Sequence, residues 1–186
     1  MLEHYVSLPD DYYAQDRYYD FEPFFKRVGL AERVMNLGCG SAQSLQHYPN
    51  GVGVDFNPQL KAIWDRAGVA DRCHNLDISE GLPWGDHSFD WTISSDFLEH
   101  VQPDAVEAVI DEVLRLAPKG LHVIDMKPQT DYRGPQGENL HPSANDGAFW
   151  FAAFTKRLVK SPHKLRLPSY KQRQRRSTLF ISFGLG

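Results

Sequence analysis

The segment Arg33 to Ala42, RVMNLGCGSA, decides how this chain folds. A short apolar run breaks into Gly38-Cys39-Gly40, the pattern of a buried strand that turns sharply under a bound ligand. Glycine lets backbone amides approach a ligand that any Cβ would hold off. Further pieces follow in order: VGVDF with Asp55, NLDI with Asp77, and FDWTISSDFLEHV from Phe89 to Val101. Asp55 closes a second apolar strand, where an acid can accept hydrogen bonds from both hydroxyls of a ribose. That position suits nicotinamide and other nucleoside cofactors alike. The nicotinamide fingerprint G-x-G-x-x-G, however, needs a third glycine where Gln43 stands, and a long side chain there obstructs a pyrophosphate.

Working outward, apolar periodicity and punctuation predict a helix near Phe21 to Val28, strand one over Arg33–Leu37 and a helix over Ala42–Tyr48. Strand two ends at Asp55, and Asn57-Pro58 opens a helix through Ala67, proline being well suited to a first helical turn. Strand three lies near Cys73–Leu76, strand four over Phe89–Ser94, and a helix over Asp104–Leu116. Lys119-Gly120 is expected to end the turn before strand five, Leu121–Met126. Strands alternating with helices specify a doubly wound, Rossmann-like α/β fold with a mostly parallel sheet. Its ligand belongs beyond the carboxyl ends of the strands, where Gly38, Asp55, Asp77 and Ser95 fall.

This ordered set resembles the class I S-adenosylmethionine-dependent methyltransferases, in particular small, type-11-like domains whose fourth strand runs into a Ser-Ser-Asp-x-Leu-Glu-His turn. The resemblance covers roughly residues 30 to 130. It implies a seven-stranded sheet with helices on both faces and an antiparallel strand near the C-terminus, here Ser177–Phe183. It implies S-adenosylmethionine as cofactor, which has no pyrophosphate for Gln43 to obstruct. Its site would comprise Asn36, Gly38, Cys39, Gly40, Asp55, Phe56, Asp77, Ile78 and Ser95. In the family the acid corresponding to Asp77 accepts from the adenine amino group, with Phe56 and Ile78 as apolar plates beside the ring. Two positions depart from the pattern. Asn36 stands where the family usually has an acid, and Ala42 where it has a third glycine, a change tolerable if Ala42 keeps a negative φ.

With 186 residues, 41 % of them hydrophobic, the chain can bury one sheet-and-helix core and is expected to form a single methyltransferase domain over residues 1–186. Within it, residues 1–30 form an aromatic segment able to act as a lid, 31–126 the cofactor-binding core, and 127–186 an acceptor-side loop, helix and basic hairpin. No apolar run reaches membrane-span length and the first residues do not read as a secretion signal, so a cytoplasmic protein without membrane partners is expected. Cys39 and Cys73 are expected to be reduced. Without a CxxC pair or spaced histidines, no metal site is expected.

Residues 127–147, KPQTDYRGPQGENLHPSANDG, read as a long loop, and the following GAFWFAAFTKRL as a helix whose aromatic residues are core in the first instance. All 24 acidic residues lie at or before Asp146, whereas nine of the 20 basic residues follow it, from Lys156 to Arg176. The first part carries a net charge of −13 and the tail +9. Such asymmetry marks either a phosphate-rich partner or a basic hairpin that neutralises an acidic body. DNA-base amino methylation is disfavoured because SSDF replaces Asn-Pro-Pro-Tyr or Asp-Pro-Pro-Tyr, and the absent Pro-Cys removes the cytosine-C5 enzymes. The expected acceptor is a small or carbohydrate-like molecule methylated on O or N. RNA or another polyanion is the alternative, and a non-catalytic partner protein the third reading. For a hydroxyl acceptor a base is useful, and His100, Glu99 and His141 are the candidates. The oligomeric state is not legible.

Overall fold

The computed structural model describes residues 22–23, 25–126, 137, 139–143, 146–159 and 178–184. The aromatic lid residues Tyr12, Tyr13, Tyr18 and Tyr19, most of the long loop and the basic stretch 160–177 lie outside them.

Six strands form one sheet: β1 (Val34–Leu37), β2 (Val52–Asp55), β3 (Cys73–Asn75), β4 (Trp91–Ser95), β5 (Lys119–Asp125) and β6 (Thr178–Phe183). Their order is β3-β2-β1-β4-β5-β6, with β6 antiparallel to β5 and the other pairings parallel. The expected antiparallel C-terminal strand is present; the expected seventh strand is not among the described residues. The chain runs outward from β1 to β3, then returns across β1 to begin β4. This reversal falls between β1 and β4, and doubly wound sheets bind ligands at the carboxyl ends of the strands where the order reverses.

Alternation along the strands divides the core. Met35 and Leu37 face α2 (Val106–Leu116) and α3 (Gly147–Leu158), while Val34, Trp91, Ile93, Leu121 and Val123 face Phe25, Val28 and Tyr48 on the opposite side. In α2 the residues Val106, Val109, Ile110, Val113 and Leu116 repeat at helical spacing and are buried. The helix stops at Ala117, which is extended before Pro118, as the residue preceding proline must be. Asp146 caps α3, its carboxylate accepting the Phe149 N–H at 2.9 Å. Trp150, Phe154 and Leu158 then bury one stripe, so core packing is the role of Trp150 and Phe154, whereas Phe149 and Phe151 are exposed. A third cluster gathers Cys39, Ala42, Leu45 and Leu60 around Trp64 of α1 (Lys61–Ala67).

Some predicted boundaries move. The turn after the glycines is only a 3-10 segment, Gln43–Gln46, where a longer helix was expected. Lys119-Gly120 is not a turn but the start of β5, paired with Trp91 and Thr92. A glycine is required there because a Cβ on Gly120 would lie 2.2 Å from the Phe183 ring packed over it.

Candidate active site

The strand ends carry two groups of residues. In the first, Gly38 and Gly40 adopt left-handed φ values of +62° and +51°. A Cβ on Gly38 would lie 2.4 Å from the Phe97 ring, whereas one on Gly40 would meet nothing within 4 Å. Gly38 is therefore glycine for packing and conformation, and Gly40 leaves open space beside its backbone. Asp55 stitches this turn to the end of β2: Gly40 N–H donates to Oδ2 and Asn57 N–H to Oδ1, both at 3.0 Å. A carboxylate has about four acceptor positions, so Asp55 retains capacity to accept a further hydrogen bond beyond these backbone donors. Desolvation raises its carboxyl from the ordinary value, and the N–H groups of Asn57, Gly40 and Phe56 oppose that rise.

Asn36 is buried and its amide donates to Ser44 Oγ at 2.6 Å, bracing the segment that follows the glycine turn. Ala42 corrects the expectation made for it: its φ is +58°, in the left-handed region, so alanine occupies a position that favours glycine. Its methyl group is compensated by burial among Leu45, Leu60 and Trp64. Cys39 faces inward. Its thiol lies in the Trp64 cluster, and burial, aided by a hydrogen bond with Cys73, pushes its pKa well up. Only its backbone serves the turn. Asp77 caps the 3-10 turn Ile78–Glu80, one carboxylate oxygen accepting Ser79 N–H at 2.9 Å and Ser79 O–H at 2.6 Å. Its other oxygen takes no hydrogen bond among the described residues. Ile78 is buried and Phe56 half-buried at the same edge. Ser95 ends β4 beside Val123.

The second group begins immediately after Ser95. Asp96 turns the chain with φ +47°, a conformation that aspartate tolerates better than most residues. Leu98–His100 then forms a 3-10 turn. Glu99 is fully buried, and its Oε1 accepts Asp125 N–H at 3.0 Å, tying the ends of β4 and β5 together. Burial, reinforced by the nearby charge of Asp96, raises the Glu99 carboxyl well above the usual carboxylate range. The loop segment bearing His141 docks on this turn through two bonds: Ser143 N–H donates to Glu99 O at 3.1 Å, and His100 Nδ1 lies 2.6 Å from Leu140 O. A carbonyl only accepts, so His100 Nδ1 bears the proton and Nε2 the lone pair. The His100 and His141 rings meet edge to face, 4.6 Å apart.

All three base candidates thus converge, although His141 lies 41 positions beyond His100 in sequence. Sequence reasoning missed Phe97, Asp96, Asp125 and Ser143, which fix the convergence, and Trp64, whose Nε1 donates to Gly40 O at 2.7 Å. Only Asp96 left a signal, as the acid of the SSDF turn. Also missed was His122 of β5, buried behind this edge against Phe183 and bonded to Ser94 Oγ at 2.9 Å. Burial lowers its pKa to about 3, so it is a neutral structural imidazole.

A family model described as a methyltransferase domain matches residues 35–124, the stretch from β1 into β5. That stretch is a methyltransferase domain, on the fold shared by S-adenosylmethionine-dependent methyltransferases. The cofactor of such a domain is S-adenosylmethionine, and the open space at Gly40, with Asp55 ending β2 and Asp77 just past β3, fits it. A SAM-dependent methyltransferase from Aquifex aeolicus shares 15 % identity at a TM-score of 0.61, the alignment covering 95 % of this chain and 98 % of that one. A putative methyltransferase of Haloferax volcanii, solved in complex with the Trm112 methyltransferase activator, shares 15 % identity, a TM-score of 0.64 and coverages of 94 % and 96 %. The [4+2]-cyclase SpnF also shares the fold, with 15 % identity and a TM-score of 0.63, and this chain spans 60 % of its length. Likeness at such identities establishes the fold alone, and one fold hosts several chemistries. No curated protein matches the sequence. No helix among the described residues is long and apolar enough to cross a membrane.

Proposed function

We propose that this protein transfers a methyl group from S-adenosylmethionine to an oxygen or nitrogen atom of a small-molecule or carbohydrate-like acceptor at the β4–β5 edge. The observation that carries this reading is the convergence of Glu99, His100 and His141 at the turn following Ser95, beside the strand ends that suit the cofactor. When bound, the cofactor supplies a methyl group on a sulfonium, an electrophile that needs no further activation. The chain's own task is to hold the acceptor in line, exclude water and receive a proton. Asp55 would accept from the ribose, Asp77 from the adenine amino group, and Phe56 and Ile78 would flank the ring. His100 Nε2 takes the acceptor's proton. Glu99, whose burial favours the protonated form, and His141 stand beside it.

The polyanion alternative loses two of its cations. Arg157 and Lys156 pair with Glu107 of α2 at 2.9 and 3.1 Å, and Arg157 also pairs with Asp111. These two neutralise the acidic body, and the seven basic residues beyond them lie outside the described residues. Transfer of tritiated methyl groups into fractionated host extract tests the proposal. Label in small molecules or glycans is the expected result. Label confined to RNA moves the assignment to a polyanion. No label from a protein that binds S-adenosylhomocysteine reduces it to a cofactor-binding partner protein.

A further inference from the structure

The cluster after β4 offers more than a base. Glu99 places one oxygen on Asp125 N–H, but its Oε2 is buried and has no hydrogen bond among the described residues. A buried carboxylate oxygen without a donor is costly and points to a missing positive partner. Two imidazoles converge on the same place. One donor atom each from Glu99, His100 and His141 lies within 4.8 Å of the others. His100 is oriented by its bond from Nδ1 to the Leu140 carbonyl, the outer contact that commonly fixes a metal-ligating histidine. Metal–donor bonds of about 2.0–2.2 Å need donor atoms roughly 3–3.5 Å apart, so side-chain movements of about 1 Å would close the cluster.

We propose that Glu99, His100 and His141 bind one divalent first-row transition-metal ion. Two imidazoles and a carboxylate suit Mn2+, Co2+ or Zn2+, whereas Ca2+ and Mg2+ sites are built from oxygen. Three protein ligands leave a coordination position open. The inference rests on the proposed function only for the occupant of that position: an acceptor hydroxyl on the ion would lose its proton more readily, with the histidines acting as ligands and no longer as bases.

The test is a titration of the full chain, freed of metal by chelation, with Co2+ followed by visible absorption and with Mn2+ followed by electron paramagnetic resonance. S-adenosylhomocysteine calorimetry on the same samples reports an intact fold. Saturable binding of one ion per chain is expected, weakened about tenfold or more in Glu99→Gln and in His141→Gln, with cofactor affinity retained. If Glu99→Gln fails to bind S-adenosylhomocysteine, His141→Gln, on the loop segment, decides. Absence of saturable binding to native protein, or equal binding by the variants, overturns the inference. Metal binding without methyl transfer would retain it and reject the enzymatic reading. Methyl transfer by metal-free protein, unchanged on adding Co2+, Mn2+ or Zn2+, would overturn the placement of the acceptor hydroxyl on the ion.

Discussion

At the ends of β1 to β3 the contacts run largely through backbone: left-handed glycines, amides donating to Asp55, and Asp77 capping a turn. At the ends of β4 and β5 they run through buried side chains drawn from three separate segments. The first construction depends on local conformation and leaves no room for a Cβ at Gly38. The second depends on long-range docking and on satisfied buried polarity, so single substitutions there should alter chemistry before they alter cofactor binding.

The largest effect is expected for Gly38→Val. The new side chain meets Phe97 and holds a β-branched residue at φ +62°, so cofactor binding measured by calorimetry should be lost or the chain should fail to fold. Near-native affinity would break the contrast at its strongest point. On the other half, His100→Ala should lower methyl-transfer turnover about a hundredfold while S-adenosylhomocysteine affinity stays nearly unchanged. Parallel losses in both quantities would merge the two halves into one. Asp55→Ala should weaken S-adenosylhomocysteine roughly ten- to a hundredfold, about 1.5–3 kcal/mol, with unchanged binding counting against the whole assignment of the strand-end acids.

The floor of the second half makes a pH prediction. His122 is neutral in the fold, with a pKa near 3, and titrates near 6.5 when unfolded. Between those values the unfolded chain binds more protons, so His122 makes stability fall as pH drops through that window. The loss amounts to about 2 kcal/mol by pH 5. Denaturant melts of native protein and His122→Gln at pH 7 and 5 measure this, the variant being expected to lose less on acidification. The smallest effect is that of Ala42→Gly, which relieves a left-handed alanine but removes a buried methyl group. A change within about 1 kcal/mol is expected, and a larger stabilisation would mean that strain dominates.

Much of the first half was legible because its determinants are consecutive. Gly38-Cys39-Gly40 and the acids closing β2 and following β3 state their roles within a few residues, and alternation of apolar runs gave the parallel order. The second half was legible as candidates but not as a cluster. Glu99 and His100 are adjacent, yet His141 reaches them through Ser143 and Leu140, contacts no spacing rule encodes. The same blindness removed metal binding from consideration, since spaced histidines were sought in sequence and folding supplied the proximity. The sign of φ at Ala42 was misjudged because a buried methyl can offset a local preference. The start of β5 was misjudged because Gly120 makes room for Phe183, a partner sixty-three positions away.

Gly40 is gripped from both sides: its N–H by Asp55 of β2, and its carbonyl by the Trp64 indole of α1. A turn clamped in this manner has little conformational freedom left to surrender, so a ligand arriving there meets a surface already set. Trp64 is itself buried in the cluster beneath the turn. Its substitution by phenylalanine, which keeps most of the packing and deletes the donor, should therefore appear less in the melting temperature than in the entropy of cofactor binding.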